Sequence, residues 1–289
     1  MSLDVTRADD ISLSLDAVIV AVTNEVPRLL VVMDDATGLP SIPSADLDIE
    51  HDTTLDRGMS RAIAEQTGLT VNHLEQLYTF GDRGRRENPA GRRAISVAYL
   101  ALVQETSPAA DAEWVDWYAL FPWEDHRNGR PELLDSLERD LKQWADGDDE
   151  RTARVAIAFG EPFDGVRVLD RYELLYEGGL SGAGQAMPFD HRRIAATALG
   201  RLRGKFTYRP VVFELLADTF TLLELQRCVE ALAGVRLHKQ NFRRLVDRSG
   251  LVEGTGTRAS RGGRPAELFR FRPEVQLERA RPGLGQPYG

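Results

Sequence analysis

The 289-residue chain holds one cysteine, Cys228. No internal disulfide can form, and nothing points to an oxidising compartment. Long hydrophobic runs are also missing. The most apolar stretches, 17–22 and 95–103, fall far short of the ~20 residues a membrane-spanning helix needs. The first ten residues are acidic and lack an apolar centre, so they do not read as a signal peptide. A cytoplasmic protein is the default expectation. Positive charge is scarce as well: 36 Lys and Arg stand against 45 Asp and Glu, a formal net charge of −9. On that total alone, a polyanionic partner looks disfavoured. The chain does have the composition of a folded globular protein, 42% hydrophobic and 28% charged. Its length suits about two domains of roughly 100–200 residues each.

The charge deficit is not uniform. Residues 191–289 carry 19 Lys and Arg against 9 Asp and Glu, a balance of +10; the other 17 basic and 36 acidic residues give residues 1–190 a balance of −19. Such asymmetry is a pointer to nucleic-acid binding by the basic part, although charge imbalance also serves solubility.

The acidic part reads as a mixed sheet with a few helices. Apolar runs at 15–22 and 29–33 flank a polar turn and predict a hairpin. Thr53 followed by Asp56 predicts a capping box for a helix that runs to about Gln66, with Gly68 as its stop. Strands are expected at 74–80 and 93–103, joined by an arginine-rich loop, and a further strand or strand edge at 111–120. Leu133, Leu134, Leu137, Leu141 and Trp144 recur at helical spacing. Short β-branched runs at 155–159 and 166–169 suggest strands, and a glycine-rich stretch at 178–184 suggests a boundary.

From His191 the texture changes to short helices. They are expected at 191–202, 211–216, 221–233 and 238–249, the last two stopped by Gly234 and Gly250. Strand-like segments 251–253 and 268–271 then flank a Gly/Arg-rich loop. Helices followed by a two-stranded wing follow the order of a winged helix-turn-helix. On the last helix Phe242, Leu245 and Val246 share one face. Lys239, Gln240, Asn241, Arg243, Arg244 and Arg248 lie toward the other and are the candidate DNA contacts. Arginine and glutamine can make paired hydrogen bonds to guanine and adenine edges. Arg258, Arg261 and Arg264 in the wing add candidate phosphate or minor-groove contacts. Asp247 shares the outward face and would repel phosphate.

The segment from Leu39-Pro40 through Arg61-Ala62-Ile63-Ala64-Glu65-Gln66-Thr67-Gly68-Leu69 resembles the Nudix signature. In that signature an Arg-Glu pair and later glutamates on one helix hold Mg²⁺ on a diphosphate. Arg61, Ile63, Glu65, Gly68 and Leu69 are retained. Ala62 and Gln66 stand where the family has glutamate, and Thr53 or a shifted register replaces its upstream acid. One helix carboxylate cannot build the usual metal cluster. The resemblance therefore implies no catalytic residue and no metal site. Residues 77–83 and 93–102 are similar to Nudix proteins that recognise ADP-ribose. Asp190-His191-Arg192, Asn241-Phe242-Arg243-Arg244 and Gly262-Gly263-Arg264-Pro265-Ala266 resemble the winged domain of Nudix-related transcriptional regulators, many of which control NAD metabolism.

The resemblance implies an α+β fold: a Nudix-like mixed-sheet α/β/α sandwich at 10–150 followed by a winged helix-turn-helix at 189–275. Residues 151–188 are expected as a linker or extension, and 276–289 as a flexible tail. Implied partners are an operator in double-stranded DNA, a second copy of the chain, and a nucleotide-like effector such as ADP-ribose, with no cofactor required. Arg61, Glu65, Arg83, Arg85, Arg86, Arg92 and Arg93 are the expected effector contacts, since arginine can grip phosphate through two hydrogen bonds. Two other readings stay open: a Mg²⁺-dependent pyrophosphohydrolase acting on ADP-ribose or a related nucleotide, and a sugar-responsive regulator on the same scaffold.

Overall fold

The computed structural model describes residues 11–82, 93–109, 111–206, 209–259 and 265–274. Its centre is a mixed sheet. β1 (Ile11–Thr23) forms a hairpin with β2 (Val26–Met33), and the turn residues Asn24 and Glu25 both have positive φ, 52° and 64°. That left-handed pair matches the twist of the two strands. β3 (Pro40–Ser41), β4 (Ser44–Asp46), β5 (Glu75–Phe80), β6 (Arg93–Leu102) and β7 (Ala112–Asp116) complete the sheet. The main order is β3-β2-β1-β6-β5, with β4 against β1 and β7 against β2. β1 and β6 run parallel from Ile11↔Arg93 to Val20↔Leu102; the other pairings are antiparallel.

Alternation along β1 divides the core. Leu15, Ala17 and Ile19 face helix α1 (Leu55–Thr67), together with Met59 and Ile63. Val18 and Val20 face the opposite side, where helix α6 (His191–Lys205) lies with Ile194, Leu199 and Leu202. Helices on both faces make the expected α/β/α sandwich. The cap of α1 differs by one residue from expectation. Thr54 is the extended residue (φ −146°, ψ 156°), and its hydroxyl accepts the Arg57 N–H.

Two strand expectations are overturned. The segment expected as strand at 111–120 leaves the sheet at Asp116, whose carboxylate accepts the Tyr118 N–H and starts a short helix α2 (Trp117–Leu120). The run at 155–159 falls in a helix, and that at 166–169 in a turn and the first residues of the next helix. α3 (Leu133–Ala145) precedes α4 (Asp149–Phe159) and α5 (Val168–Glu177). Asp148 caps α4 by accepting the Arg151 N–H, and Asp149 and Glu150 favour its positive end. Along α4 the buried residues are Val155 and Ala158, a helical interval, whereas Ile157 is exposed. A half-buried strand would have buried 155, 157 and 159 together. Residues 151–188 thus carry most of α4 and all of α5.

Beyond α6 come a 3₁₀ turn (Val211–Leu215), α7 (Leu222–Ala233), α8 (Lys239–Ser249) and the wing strands β8 (Val252–Ala259) and β9 (Ala266–Phe271). One apolar cluster runs without a break from Val18 and Leu100 of the sheet through Tyr172 and Leu199 to Val229, Phe242 and Val246. Cys228 is buried in it, and burial pushes its thiol up to about 12. No helix among the described residues is long and apolar enough to cross a membrane.

Candidate nucleic-acid interface and effector site

Helix α7 starts with a reciprocal cap: the Thr221 hydroxyl accepts the Glu224 N–H and the Glu224 carboxylate accepts the Thr221 N–H. It ends at Gly234, which is left-handed at φ 73°. A Cβ there would lie 2.3 Å from the Glu124 carbonyl oxygen, so glycine is needed for space as well as for conformation. The turn into α8 is held by Glu230, whose side chain is 1% exposed. Its carboxylate accepts from the Leu237 N–H (3.0 Å), Gln226 Nε2 (2.8 Å), Arg227 Nη1 (2.9 Å) and Arg236 Nη1 (2.8 Å). Burial alone would raise this carboxyl, but these donors hold it below its usual range. Arg236 and Arg227 also reach Glu25 in the β1–β2 turn, at 3.1 and 3.3 Å.

This frame fixes the orientation of α8. Phe242 and Val246 are buried, while Lys239, Gln240, Asn241, Arg243, Arg244 and Arg248 are all exposed, as is Asp247. Arg244 donates to the Asn241 side-chain oxygen. The helix thus presents a basic, hydrogen-bonding face that starts at its first turn, the arrangement a recognition helix needs. The wing rises beside it. Phe220 and Phe269 exchange backbone hydrogen bonds of 3.0 and 2.8 Å, which ties β9 to the start of α7. Arg258 is exposed on β8 and donates to the Pro265 carbonyl at 3.0 Å. Arg261 and Arg264 lie outside the described residues.

Of the expected effector residues, the described ones are Arg61 and Glu65 on α1 and Arg93 on β6. On α1, Arg61 makes a two-pronged contact with Asp52 (Nε–Oδ1 3.1 Å, Nη2–Oδ2 2.9 Å) and reaches Glu65 at 3.1 Å. The hydrogen bonds from Arg61 lower the Asp52 carboxyl. Gly58 leaves room for this contact, since a Cβ there would lie 2.6 Å from Asp52 Oδ2. Gln66 is spent on the backbone: its Nε2 donates to the Ser44 carbonyl at 2.8 Å and its Oε1 accepts the Ser44 N–H at 3.3 Å. Ala62 is buried against the sheet. Among the described residues no three His, Cys, Asp or Glu side chains come together to hold a metal ion. Arg93, at the start of β6, is exposed and donates through Nε (3.1 Å) and Nη2 (2.6 Å) to the Gly81 carbonyl. Arg83, Arg85, Arg86 and Arg92 lie outside the described residues.

Sequence reasoning missed the buried polar groups that join the two halves. Asp16 on β1 is fully buried and accepts from Ser14 (3.2 Å), Ser44 (2.5 Å) and Ser96. His191 at the start of α6 places Nε2 3.5 Å from Asp16 and Nδ1 3.0 Å from Ser41 Oγ. Two residues on, Arg193 pairs with Glu173 of α5 and with Asp82 at the end of β5, both at 2.5 Å. A third group centres on Glu124, fully buried in the 3₁₀ turn Pro122–Glu124. Arg171 of α5 grips both its oxygens (2.5 and 2.9 Å) and Arg203 of α6 adds a bond of 2.6 Å. Arg203 also donates to the Leu232 carbonyl at 2.9 Å, and Tyr118 to the Ala231 carbonyl at 2.7 Å, both at the end of α7. Arginines scattered through helices carry no periodic signal that would have announced these contacts.

The family model described as the NrtR DNA-binding winged helix domain matches residues 212–271. An "ADPR responsive transcriptional repressor NtrR" from Acinetobacter baylyi is 27% identical over 237 residues, 80% of this chain and 69% of that protein. The crystal structure of Shewanella oneidensis NrtR complexed with a 27mer DNA shares the fold at TM-score 0.60 and 23% identity, covering 92% of this chain and 95% of that one. A MutT/nudix family protein from Enterococcus faecalis shares it at TM-score 0.57 and 15% identity, covering 93% and 89%. Residues 212–271 thus match the NrtR DNA-binding winged helix domain, and the chain as a whole shares the fold of the Shewanella protein.

Proposed function

We propose that this chain is a cytoplasmic, homodimeric, DNA-binding transcriptional repressor whose Nudix-like domain senses ADP-ribose or a related NAD-pathway nucleotide without hydrolysing it. The observation that carries the reading is the exposed basic face of α8 in a domain matched by the NrtR winged helix family. The repressor role and the effector are supported by the likeness to the ADPR responsive repressor of Acinetobacter. The absence of hydrolysis is supported by Gln66, which is bonded to the Ser44 backbone, and by buried Ala62, both at positions where metal-binding glutamates would stand.

The proposed route from effector to DNA runs through Asp82. The arginines at 83–93 follow Asp82 directly in sequence, and Asp82 holds Arg193 on α6. A diphosphate drawn to those arginines brings negative charge beside Asp82 and weakens its hold on Arg193. Such a ligand favours one placement of α6, and of the winged domain behind it, over another, which is what coupling requires.

The test is fluorescence anisotropy with duplex DNA from the promoter regions the protein occupies in a genome-wide footprint, with and without ADP-ribose. Affinity is expected to fall steeply with salt, and Arg243→Ala to reduce the log–log slope by about 0.9 if that residue contacts one phosphate. A salt-independent affinity counts against the reading. So does Mg²⁺-dependent release of AMP from ADP-ribose that Glu65→Gln abolishes.

A further inference from the structure

A cleft of about 900 Å³ opens on the side of the sheet turned away from α1. Leu100 and Leu102 of β6 belong to the apolar cluster shared with α6 and the winged domain, whereas Tyr99 and Ala101 face α1. The cleft is thus separate from the Nudix-like helix. One wall is the sheet edge at Glu75 and Leu100; the other is the segment after α6 and the wing strand β9. Two contacts span the walls: Lys205 pairs with Glu75, and Gln104 Nε2 donates to the Leu216 carbonyl at 2.9 Å.

The lining has three chemical parts. Phe213 and Phe271 stack with ring centroids 4.6 Å apart and give a flat apolar wall. Arg201 and Arg209 are exposed and have no side-chain partner among the described residues. Glu214 and Asp218 add acceptors on the rim. The size falls within the ~300–1,000 Å³ of small-molecule sites. Lys205 is already neutralised by Glu75, which leaves the two arginines as the anion-binding groups without a side-chain partner among the described residues.

We propose that this cleft binds a small phosphate-bearing ligand of mononucleotide type. Its phosphate pairs with Arg201 and Arg209, its ring lies against the Phe213–Phe271 wall, and its sugar hydroxyls donate to Glu214 and Asp218. An occupant touches the sheet and the winged domain at once, so it bears on their relative placement independently of the arginine loop.

Calorimetric titration of the full chain with 5′-AMP tests this, with inorganic phosphate and adenosine as separate arms. Saturable AMP binding is expected, with each fragment at least about tenfold weaker. R201A/R209A is expected to weaken AMP by about tenfold or more, the worth of lost hydrogen bonds to a charged group. Both arginines are exposed and unpaired, so this variant should unfold at the wild-type temperature. Ala217→Trp, which fills the cleft and keeps its charges, should also block AMP. Unchanged AMP affinity in both variants overturns the proposal, and so does phosphate binding as tightly as AMP. Arg93→Ala separates the two sites: AMP binding in the cleft survives it, whereas the proposed ADP-ribose response does not.

Discussion

The two faces of the central sheet carry charge in opposite ways. On the α1 face the ion pairs reach solvent through Arg61, which is 38% exposed and joins the buried side chain of Asp52 to the 61% exposed Glu65. On the α6 face a set of charges is sealed, with Asp16, Glu124 and Arg203 all fully buried. The α1 face is where a Nudix enzyme would keep its metal, and here its polar groups are satisfied by the chain itself. The α6 face carries the contacts to the winged domain. Buried charge costs free energy unless each group is paired. Its concentration on one face marks where this protein holds its geometry most tightly.

Mutations can break that contrast, and the largest effect is expected at Glu124. Glu124→Ala leaves Arg171 and Arg203 buried without their anion and should lower unfolding free energy by about 3–5 kcal/mol, read by urea denaturation. A loss under 1 kcal/mol would show the knot to be dispensable. Asp16→Ala removes the acceptor shared by three serine hydroxyls and faced by His191. A cost of about 1–3 kcal/mol is expected, together with a weaker effect of ADP-ribose on DNA affinity. Wild-type coupling in a destabilised Asp16→Ala protein would separate this site from signalling.

Acid titration sharpens the comparison. Glu124 and Glu230 both have folded pKa values lowered from 4.5. Each therefore contributes stability that is present above about pH 4.5 and lost as pH falls through the lower folded value. Glu230→Gln should flatten the acid limb of the stability–pH curve; an unaltered limb would argue against the arginine cage around that carboxylate. The smallest effect is expected on the other face. Arg61→Ala breaks a partly solvated pair, so about 1 kcal/mol or less is at stake, with DNA affinity unchanged. A loss comparable to that at Glu124 would erase the distinction between the faces.

Periodicity and punctuation carried most of the fold in the sequence. The α7–α8 pair and its stops at Gly234 and Gly250 follow from apolar spacing and from glycines that are left-handed in the structure. The outward basic face of α8 was legible for the same reason. What failed was short-range: Val155–Ile157 looks β-branched and strand-like, yet the Asp148 cap and burial every third residue make it helix. The strand expected through Leu120 ended at an aspartate whose local hydrogen bond to the Tyr118 N–H had no hydrophobic signature. The knot at Glu124 depends on partners 47 and 79 residues away, and that at Asp16 on Ser44 and Ser96, 28 and 80 residues away. A single sequence holds no local trace of such pairings. Asp52 is the partner of Arg61 because the loop folds back onto Gly58, a contact with no sequence signal.

The tight approach of Gly234 to the Glu124 carbonyl has a consequence for modularity. The reading head of this molecule is not a portable cassette. Cutting out residues 212–271 would strip the end of α7 from Arg203, Tyr118 and the shared apolar cluster, and the excised piece would expose an interior rather than a surface. Transplanting its DNA preference into another scaffold therefore calls for moving α6 and the 3₁₀ turn at Glu124 as well. In descent, the sheet half and the winged half are expected to change together, because neither half of this chain is finished without the other.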